Sequence, residues 1–207
     1  MHFSTLIAAT AMTGAVLAAE HTVSVSDKDG NIIFKPDTIE AAQGDMISFH
    51  FWPKNHSVVQ ATFDKPCQPM DGGFYSGFVP TSDASAAAST VFMYEVKNAS
   101  APIWFYCSQG KHCQGGMVGV INQAKTGDKT IDAFKKAAQT ATDNVSPASK
   151  AGTGGNLTQS SGTKASPSAS MASGTGAQLP KSTGAASQLA GSAFVAGLAG
   201  AFTFFML

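Results

Sequence analysis

The chain has 207 residues, 43% hydrophobic and 13% charged, and its thirteen lysines and thirteen acidic residues cancel to a formal net charge of zero. Arginine is absent, and without a basic excess or guanidinium forks the chain is not built as a nucleic-acid binder. No acid follows Asp143 and only Lys164 and Lys181 carry charge beyond Lys150, so the folded part is expected to be shorter than the chain.

In chain order, residues 1–19 contain an apolar run from Leu6 to Ala19 that is too short to span a bilayer and closes on small residues, and they read as a secretory signal peptide. Cleavage after Ala19 fits the run best, with Ala18 as the alternative. From residue 20 to 123 turn signals recur at short intervals, as at Lys28-Asp29-Gly30-Asn31, Gln43-Gly44-Asp45 and Asp71-Gly72-Gly73. Strands are expected between them at 22–26, 38–41, 46–51, 57–61, 90–96, 102–107 and 117–122, rich in Val, Ile and aromatics. That spacing implies an all-β domain, an antiparallel β-sandwich. Within 124–144, Ile131, Phe134 and Ala138 fall at helical spacing, so a short amphipathic helix should follow the last strand over 129–142.

Residues 145–184 are dominated by Ser, Thr, Ala and Gly without apolar periodicity, and read as a disordered, O-glycosylated stalk. The last residues, 185–207, follow small residues around Gly184 and end in an uncharged apolar run. This is the pattern of a GPI-attachment signal, with Gly184 as the attachment residue chosen on spacing. N-x-S/T sequons occur at Asn55, Asn98, Asn144 and Asn156. The last three are N-glycosylation candidates, whereas Asn55 directly precedes a candidate ligand and is expected to stay unmodified.

Three cysteines in a secreted chain leave one thiol over, and that thiol needs a role. Cys107, His112 and Met117 stand five positions apart, offering a thiol, an imidazole and a thioether, which are soft and borderline copper ligands. Ile103, Phe105 and Cys107 share one strand face by the two-residue period, so Cys107 should point inward. Gly115 and Gly116 permit the turn that returns Met117 to the site. A trigonal site needs a second imidazole, and His56 is preferred because it sits at a turn opening a strand. His50 reads as a sheet-face residue and His21 as a solvated one near the mature end. Zinc is the alternative metal, but a thioether contributes little to it. Trp104, Phe105 and Tyr106 read as strand core; Phe74, Tyr75 and Phe78 read as packing or as a docking patch.

The C-x4-H-x4-M loop, the upstream Asn55-His56-Ser57-Val58 and the Phe34/Pro36, Gly44-Asp45 lead-in resemble the cupredoxins, and phytocyanins among them. The whole layout looks like the fungal GPI-anchored cupredoxins, also called extracellular serine-rich proteins. The resemblance implies a cupredoxin-like Greek-key sandwich over 20–123 and one type 1 copper ion held by His56, Cys107, His112 and Met117. It also implies a Cys67–Cys113 disulfide. From the residues alone, a Cys107–Cys67 pair stays open.

The function so implied is one-electron transfer at the cell surface, by a monomer whose partner is a redox protein or a small reductant, with the membrane reached only through the GPI lipid. A non-catalytic copper-binding or wall module is the alternative. Enzyme readings fare worse. A multicopper oxidase needs many more histidines, and a polysaccharide monooxygenase needs a mature N-terminal histidine, which His21 would supply only after cleavage at Glu20.

Overall fold

The computed structural model describes residues 17–160. The expected leader up to residue 16, the stalk from 161, Gly184 and the anchor signal lie outside the described residues.

The strands are β1 Glu20–Val25, β2 Phe34–Lys35, β3 Thr38–Ile39, β4 Met46–Phe51, β5 Lys54–His56, β6 Val59–Ala61, β7 Val79–Thr81, β8 Thr90–Glu95, β9 Ile103–Tyr106, β10 Val118–Ile121 and β11 Asn156–Gln159. Among the described residues one helix, α1 Ile131–Gln139, precedes β11. A five-stranded sheet runs β11-β8-β4-β1-β2, a four-stranded sheet runs β3-β10-β9-β6, and β5 pairs with β7 in a small ribbon. The domain is the mostly-β sandwich with one short helix that the turn spacing and the resemblance imply.

Its pairing is mixed rather than purely antiparallel. β1 runs parallel to β4, with Val23 opposite Phe49, and β10 runs parallel to β3, with Ile121 opposite Ile39. The chain visits the second sheet through β3 between β1 and β4, so it returns to the first sheet pointing the same way. Side-chain alternation has the same period in both ladder types and says nothing about direction.

Between the sheets lies a core of Val23, Val25, Ile47, Phe49, Phe51, Phe92 and Phe105, together with Cys107 and Met117. The Phe105 ring meets Phe34 and Phe49 edge-on, at centroid distances of 4.9 and 5.5 Å. Gly119, opposite Phe105 in β10, is required there, because a Cβ would lie 2.3 Å from the ring. The other face of β9 carries Trp104 and Tyr106 into a second cluster with Val59, Val118, Val120, Phe134 and Ala138. Both faces of β9 and β10 are therefore buried, which is why Ile103-Trp104-Phe105-Tyr106 reads as an unbroken apolar run.

The helix α1 covers that second face. Thr130 caps it, its side chain accepting from the Ala133 amide, and Phe134 reaches the Trp104 ring at 4.8 Å and Phe63 at 5.9 Å. Thr130 is extended and the helix ends at Gln139, so the helix is shorter at both ends than the expected 129–142.

Residues 145–160, expected as the start of a disordered stalk, are instead part of the domain. They run back over the metal-loop end of the sandwich and finish as β11, antiparallel to β8 with Leu157 opposite Phe92. All four β11 residues are exposed, so the strand is held by backbone pairing at a sheet edge and leaves no apolar alternation in the sequence. Among the described residues no helix is long and apolar enough to cross a membrane.

Candidate metal centre

Cys107 follows the last residue of β9, on the same inward face as Ile103 and Phe105. Its amide donates to the Met117 carbonyl at 3.1 Å, which continues the β9–β10 ladder to the edge of the site. The intervening loop is tightly wound: His112 donates to the Gln109 carbonyl, Gly116 to the Cys113 carbonyl and Met117 to the His112 carbonyl, each at 2.9 Å. Gly116, at φ 94°, makes the turn that the Gly115-Gly116 pair was expected to permit. Cys113 leaves this loop in a disulfide to Cys67, so Cys107 is the free, buried thiol.

His56 ends β5, where pairing to Val79 of β7 holds it on regular backbone. Its Nε2–H donates to the Pro53 carbonyl at 3.1 Å, which leaves Nδ1 as the bare nitrogen. That Nδ1 lies 4.0 Å from Cys107 Sγ, and His112 Nδ1 lies 3.5 Å from the same sulfur. The three donor atoms lie within 4.8 Å of one another. Met117 is fully buried in the same core cluster as Cys107.

Burial sets the protonation of this group. Desolvation pushes His56 down to about 4 and also lowers His112, so both imidazoles are neutral at neutral pH and present lone pairs. Desolvation raises the Cys107 thiol, partly opposed by the Ser57 amide pointing at its sulfur. A buried thiol and two neutral imidazoles within reach of one another, with the Met117 thioether in the same buried cluster, form a donor set that fits copper.

Among the described residues, the other two histidines are elsewhere. His50 lies in β4 opposite Ser24 and Val91, and His21 Nε2 meets Asp45 Oδ2 at 2.9 Å. Phe74 and Tyr75 are buried whereas Phe78 is exposed, which divides the aromatic trio between core and surface.

Several residues beyond the expected ligands support the site. Ser57 donates its amide to Cys107 Sγ at 3.4 Å, and its hydroxyl sits 2.9 Å from Ser108 Oγ. Asn55 donates to Gln109 Oε1 at 3.0 Å, bridging the two ligand segments. Asn144 donates to the carbonyls of Cys107 and Gly110. The loop-steadying role of Asn55 is what the family resemblance implies; Ser57 is flagged only by its place beside His56, and Asn144 is visible in the sequence merely as a sequon.

No family model matches the chain. It is 38% identical over 134 residues to a protein of Arthroderma benhamiae named "Probable GPI-anchored cupredoxin-1", covering 64% of this chain and 67% of that one. A second protein of the same organism, named "Extracellular serine-rich protein", is 37% identical over 129 residues, covering 61% of this chain and 48% of its own length. The match thus spans about half the length of that second relative. Among solved structures, a mutant plastocyanin of a fern aligns at 21% identity and a TM-score of 0.36, covering 49% of this chain and 97% of its own. Auracyanin A of Chloroflexus aurantiacus, described as a "blue" copper protein, aligns at 8% identity and a TM-score of 0.37, covering 50% and 97%. With a mixed β-sandwich, a buried unpaired thiol between two imidazoles, and this level of identity over two thirds of a cupredoxin, the chain belongs to the cupredoxin family.

Proposed function

We propose that this chain is a cell-surface type 1 copper protein that binds one copper ion through His56, Cys107, His112 and Met117 and carries single electrons. The observation that carries the reading is the position of Cys107 Sγ, 3.5 and 4.0 Å from the Nδ1 atoms of His112 and His56, in a chain whose other two cysteines are bonded to each other. Copper bound there supplies a Cu(II)/Cu(I) couple that exchanges one electron at a time.

The protein's part is to keep the donors in place through that exchange. Pro53 fixes the His56 ring, the Ser57 amide steadies the sulfur, and Met117 and His112 are locked through their backbones. Each donor is thus held by the fold rather than by the ion, which keeps reorganisation small. His112 is the less buried imidazole and lies in the loop nearer solvent, so it is the natural route for an electron to and from a donor or acceptor.

The surface location rests on the leader, the Ser/Thr-rich segment and the anchor signal read from the sequence, and on the name of the 38% identical relative. Phosphatidylinositol-specific phospholipase should release the protein from membranes, and the C-terminal peptide should end at Gly184 or a neighbouring small residue. Electron transfer is tested by the self-exchange rate of the copper-loaded protein. Rapid exchange supports a carrier, whereas a protein that takes up copper yet exchanges slowly would favour a copper-holding or wall module.

A further inference from the structure

The residues that follow α1 do not leave the domain; they cross the metal loop and bond to it. Asn144 Nδ2 donates to the Cys107 carbonyl at 3.1 Å and to the Gly110 carbonyl at 2.9 Å, spending both amide hydrogens on the segment between two candidate ligands. Asn144 Oδ1 is buried without a partner, so the side chain is oriented by those two carbonyls alone. Next to it, the Val145 amide donates to the Cys67 carbonyl at 2.9 Å, and the Tyr106 hydroxyl donates to the Val145 carbonyl. The Ser146 hydroxyl donates to Ser108 Oγ at 2.9 Å, and Ser108 Oγ is 2.9 Å from Ser57 Oγ, itself 3.9 Å from Cys107 Sγ. Further on, the strap is secured again, with Gly152 and Tyr75 bonded backbone to backbone and β11 paired to β8.

We propose that Asn144–Ser146 is a built part of the metal centre, with Asn144 as a positioning residue that fixes the Cys107–Gly110 backbone and Ser146 ending a hydroxyl relay to the thiolate. A loop whose ligands stand five residues apart has carbonyls at Cys107 and Gly110 that no sheet partner takes. Left without donors, they would let the loop relax and the sulfur shift relative to His56. An N-glycan is attached through Nδ2 and would displace one of the two hydrogen bonds, so the Asn144 sequon goes unmodified in the folded protein, unlike exposed Asn156.

The inference rests on the copper reading, and the test separates the two. In the full secreted chain, Asn144→Asp keeps the shape but sets an oxygen against two carbonyls, and Asn144→Ala removes the donors without adding charge. In the metal-free protein, Cys107 should react with a thiol reagent about tenfold faster in both variants. After Cu(II) addition the charge-transfer band should move and copper loss to a chelator should quicken by about tenfold or more. Ser146→Ala, which keeps the amide clamp, should shift the band with little change in thiol reactivity. Wild-type thiol reactivity, band and copper loss in folded Asn144 variants would overturn the proposal, as would a glycan on Asn144 in copper-loaded protein. A wild-type chain that develops no band sinks the copper reading, while the metal-free thiol arm still decides the strap.

Discussion

Ser57 and Cys107, fifty residues apart, are joined by an amide-to-sulfur hydrogen bond of 3.4 Å. Ser57 follows His56 and Cys107 directly follows β9, so this bond sets the spacing between an imidazole carried by the β5–β7 ribbon and a thiol at the end of the four-stranded sheet. It also gives the buried sulfur a donor that favours negative charge against the cost of desolvation.

Axial tuning should be separable from ligand loss. Met117→Gln is expected to keep copper and colour, because a thioether is a weak, long-range donor, and to lower the reduction potential, because the amide oxygen favours Cu(II). Redox titration of the variant checks this, and an unchanged potential would remove Met117 from the ligand set.

The Cys67–Cys113 bond closes a loop with a sequence separation of 46, which on the chain-entropy model restricts the unfolded chain by about 4 kcal/mol. The double Cys67→Ala, Cys113→Ala variant should lose that much in chemical denaturation. A loss below about 1 kcal/mol would mean that the cross-link does not constrain the unfolded chain as this loop length implies.

Phe134 is fully buried against Trp104 and Phe63, on the face of β9 opposite Cys107. Phe134→Ala should cost about 3–5 kcal/mol by loss of burial and an unfilled cavity. Denaturant unfolding measures the cost, and the copper band of the folded variant should stay where it is, since the helix packs on the far side of the sheet.

Asp45 accepts from His21 Nε2 at 2.9 Å and from the Ala19 and Ala42 amides at 2.9 Å, and these bonds, His21 first, hold its carboxyl below the ordinary value. A carboxyl depressed in the folded state stabilises above its unfolded value, near 3.9, and loses that contribution as pH falls through the lower folded value. The stability gap between the wild type and Asp45→Asn should therefore be full at neutral pH and close progressively below about pH 4. A gap independent of pH would contradict the assignment. The same contacts bear on processing, because cleavage after Ala18 keeps the Ala19 donor and cleavage after Ala19 removes it.

How far the sequence alone reaches differs between parts of the molecule. The expected span 46–51 coincides with β4, and the inward face of Ile103, Phe105 and Cys107 follows from period-two spacing, because both are local patterns of burial. The coming together of His56, Cys107 and His112 was legible from residue type and loop spacing. Lys54–His56 reads as a turn because its three residues pair only with a distant edge, Val79–Thr81. β11 was invisible for the opposite reason, having no buried residue to mark it. The bond from Asn144 to the Cys107 carbonyl spans 37 positions and depends on where α1 sends the chain, which no local pattern encodes.

The most direct test is the visible spectrum of the secreted domain during Cu(II) titration. An intense thiolate-to-copper band that saturates at one copper per chain, and is abolished in Cys107→Ser, is the predicted result. Copper uptake with no such band, or the same band in Cys107→Ser, would contradict the site.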